Sequence, residues 1–378
     1  MGVRTGVSGV EIVGAAMTRF GRFDDRTAID LGAEAVIGAL RAAGEPAIDA
    51  AFCGTAYTGV AAGHRVLGRL GRTGVPIVDV EAGCASGAAA LALGAAAIRS
   101  GQHRTVLVLG TEKMPKGMIR SSFFEPWQEA AGLSPAPAYF ALRAQRLLRE
   151  RGLTKDDLAA VVVKNRANGA HNPLAMFQKA VTADDVLASR VVCEPLHLWM
   201  LCSPNEGAAA VVLRAGDGGV QVRAAEVRSH LPGSVLNEAT PLAGIHDEGI
   251  TPPTTLAADA AYAAAGIGPD DVDVVECQDT DAARELLTYE ELRLCEPGAQ
   301  AKVLADGDVA LGGRQPVNPS GGLLSKGEPL GASALGQVVE LVDQLRGECG
   351  ARQVPGARVA LAHTVGRGAN ASVVLLAR

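Results

Sequence analysis

Residues 78–93 read Val78-Asp-Val-Glu-Ala-Gly-Cys84-Ala-Ser-Gly-Ala-Ala-Ala-Leu-Ala-Leu93, and they point to the architecture. A short β-branched run enters a tight glycine turn, and the turn delivers a cysteine to the first position of a helix. The helix then continues mostly in Ala and Gly, so neighbouring elements can approach it closely. A thiol in this position meets backbone N–H groups without intrahelical partners and the positive end of the helix dipole, and both favour thiolate. The same N–H groups suit the oxyanion that develops when an acyl group joins the sulfur. The segment reads equally as a packing motif with Cys84 as a small buried side chain.

A fainter copy of this pattern lies downstream. Residues 316–336 again pass from a buried strand through a polar, glycine-rich loop into a small-residue helix, as residues 80–94 do, which suggests an internal duplication. Around the two centres, β-branched runs at 10–16, 51–53, 76–81, 105–110, 208–214, 220–228, 272–278, 359–363 and 372–376 alternate with helical patterns. The helices are expected at 28–43, 85–100, 139–151, 255–266, 281–294 and 329–346. The alternation indicates a layered α/β fold with largely parallel pairing.

Residues 111–204 break the rhythm. They gather Phe123, Phe124, Trp127, Tyr139, Phe177, Trp199 and several prolines, and read as an inserted loop domain of the kind that covers or binds. The expected division is an N-terminal half at 1–215, containing this loop domain, and a C-terminal half at 216–378. Residues 63–74, with His64, Arg65, Arg69 and Arg72 among glycines, read as a surface loop.

Composition narrows the function classes. The chain has 378 residues, 48% hydrophobic with 46 glycines and only 3% aromatic, so its interior is built from Ala, Val, Leu and Gly. Its 35 Lys+Arg against 41 Asp+Glu give a net charge of −6, which supplies no electrostatic footprint for nucleic acid. Seven scattered cysteines without CxxC or Cys/His ligand spacing argue against a zinc site or a disulfide framework. No apolar run is long enough to span a bilayer and the N-terminus lacks a signal-peptide pattern, so a cytoplasmic protein without membrane insertion is expected. P-loop, GxGxxG, GxSxG and HExxH patterns are absent.

Three further segments hold candidate site residues. Residues 316–333 pack Asn318, Ser325, Lys326 and Glu328 among glycines just before a helix that Pro329 can start. At 361–369, His363 leaves a strand toward Val365, Gly366 and a glycine turn; a lone His there is more often structural. Gln278-Asp279-Thr280-Asp281 clusters polar groups at a strand's end, where α/β sheets bind ligands and where helix caps also sit.

Taken in order, Glu11-Ile-Val-Gly, Gly83-Cys84-Ala-Ser-Gly, Leu109-Gly-Thr-Glu-Lys-Met114, Lys164-Asn165 with Asn172-Pro173, Glu206-Gly-Ala-Ala-Ala, Thr288-Tyr-Glu-Glu-Leu and Asn318-Pro-Ser-Gly-Gly-Leu-Leu-Ser-Lys-Gly resemble the thiolase superfamily. The likeness is to its sterol-carrier-protein-type and lipid-transfer-protein-like branch. It implies a five-layered α-β-α-β-α fold of two related halves with an inserted loop domain, a homodimer, and a coenzyme A thioester as substrate with no covalently bound cofactor. It also implies Cys84 as the acyl-accepting nucleophile and His363 as the group that takes and returns its proton. Backbone N–H groups of Cys84 and of the turn at Val365 and Gly366 would form the oxyanion hole, with Asn318 ordering the loop beneath and Ser325 and Gln278 beside the substrate. Several members of the branch act with an OB-fold, zinc-ribbon accessory protein.

This chain departs from the family at two places. Where a working thiolase reads Gly-His-Pro it has Gly327-Glu328-Pro329, and where the branch reads His-Asp-Cys-Phe it has Gln278-Asp279-Thr280-Asp281. Each lost hydrogen-bond donor to a developing oxyanion is worth on the order of 3 kcal/mol, which tells against efficient ordinary thiolysis. Thiolase-like aldolases carry two tyrosines there, and this chain matches neither pattern. Three activities are open to it. The first makes or breaks a carbon–carbon bond by acyl transfer on Cys84, with Glu328 or Asp279 as acid or base. The second is Cys-independent retro-aldol cleavage of a β-hydroxyacyl-CoA, and the third is a non-catalytic acyl-CoA-binding subunit.

Overall fold

The computed structural model describes residues 9–117, 119, 125–232, 249–366 and 370–378; Phe123 and Phe124 lie outside them. The first half runs β1 (Val10–Met17), α1 (Ala28–Ala42), β2 (Ala50–Gly54), α2 (Ala62–Arg69), β3 (Ile77–Val80), α3 (Ser86–Arg99) and β4 (Thr105–Lys113). Then come α4 (Pro126–Ala130), α5 (Ala136–Arg151), α6 (Lys155–Gly169), α7 (Ala183–Ala188) and the small hairpin β5 (Val191–Cys193) with β6 (Leu196–His197). Strand β7 (Glu206–Ala215) closes that half. The second comprises β8 (Val220–Ser229), α8 (Pro253–Ala265), β9 (Val274–Cys277), α9 (Ala282–Glu291), α10 (Gln300–Ala305), α11 (Gly322–Lys326), α12 (Leu330–Arg346), β10 (Val359–Gly366) and β11 (Asn370–Ala377).

The strands pair in the order β3-β2-β4-β7-β1-β8-β11-β10-β9. Each half places its first strand at the centre, its last strand next, then its next-to-last and its second. Strand β3 takes the outer edge in one half, and an isolated parallel bridge between Val275 and Val317 takes that place in the other. The halves join where β1 meets β8 at Glu11–Gln221 and Ile12–Val220. The repeat heard in residues 80–94 and 316–336 is thus a repeat of topology.

Two expectations are corrected. Among the described strands, parallel ladders are confined to β2–β3, β2–β4 and β9–β10, because β11 returns from β10 as a hairpin and β7 returns from β4 after the inserted segment. Residues 63–74 are mostly helix: α2 buries Val66 and Leu67 and turns its cationic residues outward.

Three apolar clusters define five layers. One joins the outer face of the sheet's first half (Leu107, Leu109, Ala210, Val212) to α1 and α2. The central one holds Leu91, Ala95 and Ile98 of α3 with Leu335, Val338 and Leu341 of α12, between the inner faces of the two halves of the sheet. The third joins Val275, Leu361, Val365 and Val373 to α8, α9 and the inserted helices. The sequence allows the central layer because its helices are thin where they meet: a Cβ on Gly87 of α3 would fall 3.1 Å from the Gly331 carbonyl oxygen of α12. Chain entry into α1 is fixed by a capping box, with Asp30 N–H donating to Thr27 Oγ1 (3.1 Å) and Thr27 N–H to Asp30 Oδ2 (2.8 Å). Among the described residues, no helix is long and apolar enough to cross a membrane.

Candidate active site

Cys84 sits in a 3-10 turn (Gly83–Ala85) that leads β3 into α3. Side chains tie the turn to itself: Gly83 N–H donates to Glu81 Oε1 (2.8 Å), Ala82 N–H to Ser86 Oγ (2.8 Å), and Ser86 Oγ to the Gly83 carbonyl (2.6 Å). Cys84 is 5% exposed and packs with Met114, Ile119 and Leu330. The end of β10 abuts this turn so closely that a Cβ on Gly366 would stand 1.9 Å from the Ala82 carbonyl oxygen. A glycine is required there to bring the two halves together at the thiol.

The thiol shares a cavity of ≈ 40 Å³ with Tyr139, Phe140, Arg143, Gln278, Thr280, Arg284, Glu328, Val365 and Gly366. That is room for a few waters or one reacting carbonyl. Phe140, Thr280 and Glu328 also wall a second cavity of ≈ 810 Å³, lined by Met176, Phe177, Trp199, Leu201 and other apolar side chains of the inserted segment. A large apolar chamber adjoining a small polar one suits a long acyl thioester presenting its carbonyl to Cys84.

Glu328 lies where Gly327 ends α11 and Pro329 precedes α12. Its backbone N–H donates to the Ser203 carbonyl (2.9 Å), which fixes it against the end of the inserted segment. Gln278 Nε2 donates to Glu328 Oε1 (2.7 Å) and Cys202 Sγ to Oε2 (3.4 Å). Gln278 Oε1 in turn accepts the Val365 N–H (2.8 Å). The amide orientation follows, since Val365 needs an acceptor and the carboxylate a donor. Burial, reinforced by the Glu328 charge, pushes the Cys202 thiol well up and keeps it protonated.

Two buried arginines face Cys84 from the second half and the inserted segment. Arg284 is fully buried and pairs through Nη2 with Glu291 and through Nε with Thr288 Oγ1 (3.0 Å), while its Nη1 has no hydrogen-bond partner among the described residues. Arg143 pairs with Asp281 and lies 5.1 Å from the centroid of the Phe140 ring. Their guanidinium groups supply positive charge at the walls where the family pattern would have placed histidines.

The structure gathers Cys84, Glu328, Gln278, Val365 and Gly366 and separates the other expected residues from them. His363 occupies the face of β10 shared by Leu361 and Val365, turned to the outer helices; its Nε2 meets Thr254 Oγ1 of α8 at 3.1 Å. Ala362 and Thr364, on the opposite face, look toward α12, and Thr364 Oγ1 donates to Gln337 Oε1 (2.9 Å). Burial, aided by the Arg284 charge, drives the imidazole pKa well down, so His363 is neutral. It is not among the residues that line the Cys84 cavity, although Val365 on the same face of β10 is.

Asp279 is wholly buried, accepting from Leu323 N–H (2.6 Å), Leu324 N–H (3.1 Å) and Asn165 Nδ2 (2.8 Å), and burial together with the Glu285 charge pushes its pKa well up. It clamps the start of α11 and lines neither cavity. Asn318, at φ 56°, accepts from Cys277 N–H (2.9 Å) and donates to Glu285 Oε2 (2.7 Å), so it orders its loop. Ser325 Oγ donates to the Asn165 carbonyl (3.0 Å) and likewise lines neither cavity. The Val365 N–H, expected in the oxyanion hole, is already taken by Gln278. Residues 367–369 of the glycine turn lie outside the described residues.

Sequence reasoning missed Arg143, Arg284 and Cys202. The signal for the arginines is a cation on the apolar stripe of a helix: Arg143 stands between Tyr139 and Leu147 on the buried face of α5, and Arg284 beside Ala283 and Leu286 on α9. No local signal marks Cys202, which is joined to Glu328 only by the fold. Among the described residues, no group of three or more His, Cys, Asp or Glu side chains could hold a metal ion.

Comparison with known proteins agrees with this fold. Residues 10–217 match the thiolase N-terminal domain, and residues 244–378 match the thiolase C-terminal domain-like family. The chain is 36% identical to sterol carrier protein 2 of Bos taurus, over 97% of its own length and 72% of the relative's. It is also 36% identical to acetyl-CoA acetyltransferase of Methanothermobacter thermautotrophicus, covering 98% of this chain and 99% of that one. A solved structure described as Ltp2-ChsH2(DUF35) aldolase superposes with a TM-score of 0.86 at 24% identity, over 98% of this chain and 97% of the other.

Proposed function

Because this chain belongs to the thiolase superfamily, in its sterol-carrier-protein-type branch, we propose that it makes or breaks a carbon–carbon bond of a CoA or carrier-bound thioester through an acyl group held on Cys84. The observation that supports this most is the shared chamber: Cys84 at the start of α3 and Glu328 at the start of α12 line one cavity, which adjoins the large apolar one. Lys179 and Arg190, both exposed on the wall of the large cavity, suit the phosphates of coenzyme A.

Glu328 takes the Cys84 proton as sulfur attacks the thioester carbonyl, and the coenzyme leaves as thiol with that proton. The tetrahedral oxyanion is met by N–H groups at the start of α3 and by Arg284 Nη1. Glu328 then removes a proton from the second substrate, whose carbanion attacks the acyl-enzyme and releases the thiol. The cleavage direction is the reverse. Incubation with a panel of acyl-CoAs followed by intact mass should show one acyl addition that is absent in Cys84→Ala; no addition from any donor would sink the proposal.

A second reading is retro-aldol cleavage of a β-hydroxyacyl-CoA, with Glu328 taking the hydroxyl proton and no bond to Cys84. It is favoured by the contact of His363 Nε2 with Thr254 rather than with the residues lining the Cys84 cavity, and by the aldolase description of the structural neighbour. In that case Cys84→Ala retains cleavage and Glu328→Gln loses it. Both readings include a homodimer in the cytoplasm and an OB-fold, zinc-ribbon accessory protein; the paired names in the neighbour's description support a two-protein arrangement.

A further inference from the structure

The wall of the large cavity contains a buried cation that nothing in the acyl-transfer scheme uses. On the last turns of α6, Lys164 Nζ meets Glu285 Oε1 (2.9 Å) and the Val317 carbonyl (2.7 Å). Asn165 Nδ2 donates to Asp279 and Glu285, and Asn168 Nδ2 donates to the Asn318 carbonyl (3.0 Å). Arg166, between them, is 8% exposed, lines the cavity, and has no hydrogen-bond or ion-pair partner among the described residues. Its Nε is buried and unpartnered. The guanidinium lies 4.1 Å from the centroid of the Phe177 ring, a contact that holds its plane and leaves its N–H groups without acceptors. Burial lowers its pKa to about 10, so it is still charged at neutral pH.

A buried guanidinium without an acceptor is unfavourable in the empty protein and becomes favourable when a ligand brings an anion. Its planar fork matches the two oxygens of a carboxylate. The exposed Lys179 and Arg190 are separate cations suited to coenzyme phosphates, whereas Arg166 is enclosed among apolar side chains with Phe177. The carboxylate of Glu328 borders the same cavity and repels a second anion, so a charged acyl end settles at Arg166 and leaves the thioester to Glu328 and Cys84.

We propose that Arg166 receives a free carboxylate on the substrate's acyl group, so that this chain prefers thioesters of dicarboxylic acids over those of plain fatty acids. The inference rests on the large cavity being the acyl-thioester site, as in the acyl-transfer reading.

The test measures binding without turnover. Titration calorimetry on full-length Cys84→Ala compares succinyl-, glutaryl- and adipyl-CoA with butyryl-, valeryl- and hexanoyl-CoA and with free CoA. At least one dicarboxylic ester should bind about tenfold more tightly than its uncharged counterpart, the size of one charge-assisted contact. Adding Arg166→Met should abolish that preference and leave free CoA binding unchanged; Arg166→Lys, which keeps charge without the fork, should retain part of it. No preference at any chain length overturns the proposal, and this comparison stands even if Arg166→Met does not fold. Equal weakening of both ester series and of free CoA also overturns it, by assigning the guanidinium to a coenzyme phosphate. An acyl adduct on wild type without carboxylate preference defeats this inference alone, whereas a preference without any adduct defeats the Cys84 reading alone.

Discussion

Arg284 offers the sharpest test of the chemistry at Cys84, because it lines the thiol cavity with an Nη1 that has no hydrogen-bond partner among the described residues, while its Nη2 is half of a buried ion pair with Glu291. Changing Arg284 alone to Met strands Glu291, which is 4% exposed, and removing one partner of such a pair costs about 3–5 kcal/mol. That is a large share of a typical folding free energy of about 5–15 kcal/mol, so a dead single variant proves little. Combining Arg284→Met with Glu291→Leu removes both charges, and apolar replacement of a whole buried pair is commonly neutral or stabilising. Thr288 Oγ1 keeps its bond to the Arg284 carbonyl (2.8 Å) in either case. The double variant is therefore expected within about 1 kcal/mol of wild type in guanidinium unfolding. Its chemistry should fail: an oxyanion donor is worth about 3 kcal/mol, on the order of 10²-fold in the rate of acylation. Rapid-quench intact mass tracks acyl addition to Cys84 directly. A double variant that unfolds like wild type and acylates at a similar rate would refute the assignment of Nη1 to the oxyanion.

Two other outcomes rest on the same geometry. His363 has its pKa held well below the ordinary value by burial, so below about pH 6.5 the unfolded chain takes up a proton that the folded chain refuses, and stability falls; above that pH the term is constant. The loss at pH 5 is at most about 2 kcal/mol, and His363→Gln should flatten the acid limb of the unfolding midpoint, an unchanged slope telling against it. Gly366→Ala drives a methyl to 1.9 Å from the Ala82 carbonyl, so the strand end and the Cys84 turn must part; the expected result is about 1–3 kcal/mol of lost stability together with slower acylation, and wild-type behaviour in both would show that the contact does not hold the turn.

One property of this fold, its burial of elements on both faces, governs which parts of it are legible in the sequence. The strand–Gly–Cys84–helix segment and its echo at 316–336 are readable because a central helix pressed between the two halves of the sheet must be made of small residues along its contacts, and that leaves a compositional mark. The direction of His363 is not readable, because both faces of β10 are buried. Leu361 and Val365 on one face, like Ala360 and Ala362 on the other, are apolar, so no inside–outside alternation tells which side a given residue takes. Helix α6 is hidden for a related reason: its buried positions include Asn165, Arg166 and Asn168, which erase the apolar period that marks a helix. The site itself is assembled from the start of α3, the ends of β9 and β10, the start of α12, and side chains of α5 and α9, and only local pieces such as Cys84 and Glu328 carry their own signal. In one dimension, the replacement of the family's histidines by Gln278 and Glu328 reads as a loss of donors. In three dimensions Gln278 donates to Glu328 while Arg143 and Arg284 bring positive charge to the same walls, so donors are retained at the site by residues that the motif does not contain.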